Sequence, residues 1–71
     1  MFDADLVSLD VLNDAKDKKF RVGVLALGQY NECLVKRVWF DDMNDIVEFY
    51  IPSVKKKWQL ATHSIALVRV L

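Results

Sequence analysis

The sequence predicts a mostly-β fold: a small β-barrel or strongly bent antiparallel sheet of about four or five strands, preceded by a short N-terminal helical segment. Two observations predict it. From residue 20 onward, apolar and polar residues alternate in short runs separated by clusters of turn-forming residues. Before residue 20, apolar residues recur at the wider spacing that is typical of a helix. The 71 residues are expected to form a single domain, with a helical segment and charged turn over residues 1–18 and the sheet or barrel over residues 19–71.

The N-terminal segment is predicted to be helical because it carries a broad apolar stripe. Its leucines recur at every third residue: Leu6, Leu9 and Leu12. Asp3 or Asp5 is placed to cap the helix, which is expected to run to about Ala15 and to be followed by a charged turn over residues 14–19. A strand over residues 6–12 is the competing interpretation, because polar residues also occur there at a spacing of two.

The remaining chain divides into short strands at its turn signals. The predicted strands cover residues 20–26, 32–41, 46–51, 55–60 and 65–71. The turns between them are expected at residues 29–31, 42–45 and 61–64. Pro52 ends the third strand, because proline cannot donate a hydrogen bond to a neighbouring strand.

The pairing of the second and third strands predicts which side chains share a face. A four-residue loop over residues 42–45 pairs Phe40 with Val47 and Val38 with Phe49. The core face then consists of Leu34, Val38, Phe40, Val47, Phe49 and Ile51. The opposite face, called the outer face below, carries Leu25, Leu27, Val35, Trp39 and Tyr50, bordered by Arg37 and Glu48. An exposed apolar area of this size is unusual for a monomer.

Five short strands with a helical turn before the last one resemble SH3-like and Tudor-like small barrels. Trp58-Gln59-Leu60 followed by Leu67-Val68-Arg69-Val70-Leu71 is similar to the way in which such barrels end. The resemblance is architectural and covers residues 20–71. An open sheet with the N-terminal helix packed on one face is the main alternative.

Composition and charge narrow the classes of function. Ten basic residues balance ten acidic ones, so there is no electrostatic basis for strong nucleic-acid binding. The charges are unevenly distributed: residues 1–14 carry four aspartates and no basic residue, and residues 53–71 carry four basic residues and no acidic one. The hydrophobic fraction of 54% exceeds the roughly 45–50% of typical domains, which favours self-association or a protein partner.

Location is predicted from the N-terminus and the single cysteine. The first residues lack the basic region of a signal peptide, and no apolar run reaches the roughly 20 residues that span a bilayer. One thiol cannot form an intramolecular disulfide. A cytoplasmic protein without a membrane partner is therefore expected.

No catalytic, metal or cofactor site is predicted. His63 and Ser64 lack the glycine-rich elbow of a nucleophilic serine, and Cys33 lies among apolar neighbours as a small hydrophobic residue. Because Cys33 and His63 are the only soft ligands, a zinc site is not expected. The acidic cluster over residues 41–45 is assigned to turn formation rather than to cation binding.

The sequence therefore predicts a non-enzymatic protein–protein interaction module, a small regulator or assembly factor that binds a partner or itself through the aromatic outer face. The predicted contact residues are Trp39, Tyr50, Arg37 and Val35, with Glu48 and Leu25 at the edge. RNA or single-stranded DNA binding is the alternative, through Lys55, Lys56, Lys57 and Trp58. A third possibility is that the N-terminal segment covers the outer face and leaves a plain monomer. No small-molecule substrate is indicated.

Overall fold

The computed structural model describes residues 8–71, in which one α-helix precedes five strands. The elements are α1 (Leu9–Lys18), β1 (Arg21–Ala26), β2 (Gln29–Asp41), β3 (Asn44–Ile51), β4 (Lys56–Ala61) and β5 (Ile65–Val70). A short 3-10 helix, Thr62–Ser64, separates β4 from β5. The mostly-β prediction with one short helix is confirmed. The predicted capping by Asp3 or Asp5 lies outside the described residues.

Helix α1 extends through the segment predicted to be a charged turn. It ends at Lys18, and Lys19 adopts the left-handed conformation (φ 60°) that terminates many helices. The expected end near Ala15 was therefore too early. Ala15 and Leu12 are fully buried in the core, and lysines in the last turn interact favourably with the helix dipole. Residues 16–18, which the local charge pattern assigned to a turn, therefore form the last turn of the helix.

The five strands form one antiparallel sheet in the order β4-β3-β2-β1-β5. Strands β4 and β5 are its two edges, so the sheet is not closed into a barrel, and the barrel alternative was wrong. Side chains from both edges nevertheless share one core: Leu60 comes from β4, and Ile65 and Val68 from β5. The sheet therefore curls around its core without hydrogen bonds between the edges.

The core lies on one face of this curled sheet and is completed by the helix. Its buried hydrophobic members are Leu12, Ala15, Val22, Val24, Ala26, Cys33, Val35, Val47, Phe49, Ile51, Leu60, Ile65 and Val68. Phe20, Val38 and Trp58 are partly buried against it. Because helix α1 packs on the inner face of the sheet, it does not cover the outer face of β2 and β3.

Both hairpin turns are shorter than predicted. Leu27 and Gly28 connect β1 to β2, and Asp42 and Met43 connect β2 to β3, all four with positive φ between 48° and 74°. Two-residue turns whose residues adopt the left-handed conformation match the right-handed twist of the paired strands. Longer loops do not require left-handed residues at both positions. Strand β2 consequently begins at Gln29, within the predicted turn over residues 29–31, and Leu27 lies in a turn instead of on the outer face.

The shorter turn moves the register of the β2–β3 hairpin by two residues. Val38 pairs with Val47 instead of Phe49, and Phe40 pairs with Asp45 near the end of the hairpin. From Arg37 to Asp41 this shift of two residues keeps each β2 side chain on its predicted face, because the strand period is two. Phe40 lies on its predicted face but is not buried as predicted. It is 68% exposed, because the pairing places it beyond the end of the core.

A β-bulge in strand β2 exchanges two predicted positions. Val35 pairs with Phe49 and Arg37 pairs with Glu48, which leaves Lys36 as an extra residue. On the N-terminal side of the bulge the alternation is therefore reversed. Val35, predicted for the outer face, is buried in the core, and Leu34, predicted for the core, pairs with Tyr50 on the outer face.

Candidate partner-binding face

The outer face of strands β2 and β3 carries the aromatic and charged side chains that the sequence singled out. Three cross-strand pairs build this face: Leu34 with Tyr50, Arg37 with Glu48, and Trp39 with Ile46. Successive members on β3 are two residues apart, so their side chains point to the same side of the sheet. The bulge at Lys36 brings Arg37 and Trp39 into this alternation.

Arg37 is held between an aromatic ring and a carboxylate. Its guanidinium carbon lies 4.4 Å from the centroid of the Trp39 ring, within the range of a cation–π interaction. Its Nε lies 3.3 Å from Oε1 of Glu48. The Arg37 side chain is still 64% exposed, so it covers Trp39 and at the same time faces outward.

Glu48 lies beneath this pair and is 7% exposed. Each of its carboxylate oxygens approaches a different basic group: Oε1 approaches Arg37, and Oε2 lies 3.9 Å from Nζ of Lys57. A carboxylate at this depth requires such partners, because burying an unpaired charge is costly. Glu48 was predicted for the edge of the contact surface. The structure places it at the centre, where it positions Arg37.

A second cation–aromatic pair lies on the same face. Nζ of Lys36 is 5.8 Å from the centroid of the half-buried Tyr50 ring. Beside the bulge, a cavity of about 350 Å³ is lined by Lys16, Lys19, Leu34, Val35 and Lys36. Its three lysines make the region between helix α1 and the bulge basic, whereas Glu48 and its partners occupy the middle of the outer face.

Two predicted contact residues do not join this cluster. Val35 is in the core and cannot contact a partner without unfolding. Leu25 is half-buried on β1, which pairs with residues 29–34 of β2, whereas β3 pairs with residues 34–41. The length of β2 therefore separates Leu25 from Trp39. The predicted contact residues that do share one continuous surface are Trp39, Arg37 and Tyr50.

Two exposed residues next to this surface were not predicted as contacts. Met43, in the turn, is 89% exposed, and Phe40 is the neighbour of Trp39 in sequence. Phe40 was assigned to the core and Met43 to the loop. Their position beside an aspartate-rich turn is the sequence signal that could have identified them, because side chains at the end of a hairpin have no third strand to cover them.

The residues of the predicted nucleic-acid surface are divided between two sides of β4. Lys57 extends toward Glu48 on the outer face. Trp58 is half-buried on the core side, with its ring centroid 6.4 Å from that of Phe49. Lys55 and Lys56 are exposed in and beside the β3–β4 loop. The lysines and the aromatic ring are therefore not combined into one stacking platform of the kind that single-strand binders use.

Cys33 is fully buried, and its thiol donates to the carbonyl oxygen of Asn31 at 3.5 Å. Burial raises the pKa of the Cys33 thiol from 9.0 to about 11. A thiol with this pKa is protonated and poorly nucleophilic at neutral pH. His63 is exposed in the 3-10 helix. Within residues 8–71, no group of three or more histidine, cysteine, aspartate or glutamate side chains could hold a metal ion.

Helix α1 and the 3-10 helix, the helices of residues 8–71, are both too short and too polar to span a lipid bilayer. Comparisons of the chain with protein-family models, with curated proteins and with solved structures found no match. The function therefore has to be inferred from the geometry of the outer face.

Proposed function

We propose that this chain is a non-enzymatic interaction module, a small regulator or assembly factor that binds a protein through the outer face of the β2–β3 hairpin. The observation that carries the proposal is the stacked Arg37–Trp39 pair, with Tyr50 on the same face. Tryptophan, tyrosine and arginine are the side chains that contribute most often to binding energy at protein interfaces. Here all three lie on the same face of two paired strands.

The arrangement of Arg37 supports binding because the side chain is ordered in advance. An interface loses about 0.5–1.5 kcal/mol for each flexible side chain that it immobilises. Trp39 and Glu48 already restrict Arg37, so this cost is reduced. Glu48 is approached through Nε, which leaves the terminal amino groups of Arg37 at the exposed end of the side chain for acceptors on a partner.

The proposal includes a narrower fold assignment, an SH3-like arrangement of strands in an open, curled sheet, and a cytoplasmic location. The strand order β4-β3-β2-β1-β5 and the 3-10 helix before the last strand support the first. The single free cysteine is consistent with the second. Neither the fold nor the location identifies a partner, because one fold hosts many functions.

The experiment compares the tagged wild-type chain with Trp39→Ala in pull-downs from the native host, quantified by mass spectrometry. Tyr30→Ala is the matched control, because Tyr30 is an exposed aromatic residue at the other end of β2. We expect a specific partner to be retained by the wild type and by Tyr30→Ala and to be lost with Trp39→Ala. Circular dichroism of each variant verifies that it is folded.

Equal recovery of every partner by a folded Trp39→Ala variant would contradict the proposal. If Trp39→Ala is unfolded, Arg37→Ala replaces it, because Arg37 is largely exposed and its removal uncovers the same ring. Retention of the partner by a folded Arg37→Ala variant would equally contradict binding through the outer face.

A further inference from the structure

The end of the β2–β3 hairpin, called the acidic tip here, combines exposed apolar side chains with negative charge. Met43 is 89% exposed and Phe40 68%. Asp41 and Asp42 are exposed beside them, and Asp45 is half-buried. The segment from residue 40 to residue 46 contains no basic residue. An apolar surface with one sign of charge around it favours a partner of similar apolar character and opposite charge.

The loop between β3 and β4, called the basic loop here, has the opposite charge. Val54 is 55% exposed, and the exposed residues Lys55 and Lys56 follow it. The loop begins with an ordered turn, in which the amide of Val54 donates to the carbonyl oxygen of Ile51 at 3.3 Å. No acidic residue occurs between residue 49 and residue 71. The basic loop thus presents an apolar side chain and positive charge on a fixed turn.

The two surfaces lie at opposite ends of strand β3 and cannot neutralise each other within one molecule. Strand β3 has 8 residues. At about 3.3 Å per residue its ends are roughly 25 Å apart. The screening length at physiological ionic strength is about 8 Å, so attraction between the two ends of one copy is largely lost. Among the ion pairs of residues 8–71, none involves Asp41, Asp42, Lys55 or Lys56.

We infer that the basic loop of one copy of this chain docks on the acidic tip of another copy. Val54 then contacts Phe40 and Met43, while the lysines face the aspartates. Because each copy carries both a tip and a loop, two copies related by a two-fold axis make this contact twice and close a dimer, whereas copies joined once lie head to tail and leave one tip and one loop available. The zero net charge of the chain adds no general repulsion between copies.

This interaction goes beyond the proposed function, because it uses the ends of β3 and not the outer face around Trp39. A folded Trp39→Ala variant is expected to associate as the wild type does. The two proposals can therefore fail separately.

The test is charge reversal followed by mixing. A tip variant carries Asp41→Lys and Asp42→Lys, and a loop variant carries Lys55→Asp and Lys56→Glu. The substitutions suit the backbone: Lys19 and Lys55 already adopt positive φ in this chain, and aspartate tolerates that conformation well. All four side chains are exposed, so the variants are expected to fold, which circular dichroism verifies. If the tip variant with Asp41→Lys and Asp42→Lys does not fold, Met43→Lys replaces it.

Sedimentation velocity over a concentration series reports the association. We expect the wild-type sedimentation coefficient to rise with concentration at low salt and to lose this rise in 1 M salt, where the screening length is about 3 Å. Each variant alone is expected to remain monomeric, and an equimolar mixture of the two is expected to associate again. A wild type that is monomeric at every concentration in low salt would overturn the inference. So would variants that associate as the wild type does, or a mixture that stays monomeric.

Discussion

Arg37 lies over the face of Trp39, with 4.4 Å between the guanidinium carbon and the ring centroid, and its Nε is 3.3 Å from Glu48. The three residues come from two neighbouring strands and form one unit on the outer face. The bulge at Lys36 makes this possible, because it returns Arg37 to the side of the sheet on which Glu48 lies.

We expect Arg37→Ala to lower the free energy of unfolding by about 1 kcal/mol, because it uncovers Trp39 and leaves Glu48 with Lys57 alone. Arg37→Lys keeps the charge but loses the planar contact, and an intermediate loss is expected. In a Glu48→Gln background the loss from Arg37→Ala should be smaller. Urea unfolding of the four combinations measures the coupling. The same loss in both backgrounds would mean that Glu48 does not hold Arg37.

Met43→Gly is expected to stabilise the protein by about 1 kcal/mol, because Met43 has a φ of 62° and a residue with a side chain is strained there. The methionine side chain is almost fully exposed, so little packing is lost. Met43→Ala is the matched control, since it removes the side chain but not the strain. Thermal unfolding should separate the two variants; equal midpoints would show that the turn is not strained.

Tyr30 and Gly23 are expected to be coupled, because a methyl group at the buried Gly23 would collide with the hydroxyl of Tyr30. In the wild type, Gly23→Ala must displace the tyrosine and is expected to be neutral or destabilising. In a Tyr30→Ala background the space is open, and the same substitution should stabilise the strand by about 0.5–1 kcal/mol. Urea unfolding of the double-mutant cycle tests the change of sign. Additive effects would show that the two residues do not share this space.

The raised pKa of Cys33 predicts a loss of stability in alkaline solution. The unfolded thiol ionises near 9.0 and the folded thiol near 11, so only the unfolded state releases its proton between these values. The contribution of Cys33 is therefore constant below pH 9 and declines as the pH rises to 11, by up to about 2–3 kcal/mol. Urea unfolding of wild type and Cys33→Ala, both under reducing conditions, isolates this group from the other titrating residues. A difference between them that stays constant from pH 8 to 11 would contradict the prediction.

The order and type of the elements could be predicted because they depend on local patterns. Alternation with period two identified the strands, and the turn clusters placed the breaks between them within a few residues. The segment from Trp58 through residues 62–64 to the last strand was predicted nearly as it is found. The same alternation assigned Trp39 and Tyr50 to one face, and an error of two residues in the register did not change that assignment.

Local sequence patterns were thus sufficient to predict the mostly-β class, the succession of elements and the aromatic character of the outer face. Tertiary packing produced the bulge at Lys36, the burial of Val35 and the open edges of the sheet. These features have no local signal, because each depends on how residues that are distant in sequence pack. Glu48 is an example: an alternating strand pattern places it on the outer face. Only the basic groups of the two neighbouring strands allow it to lie at the centre of that face.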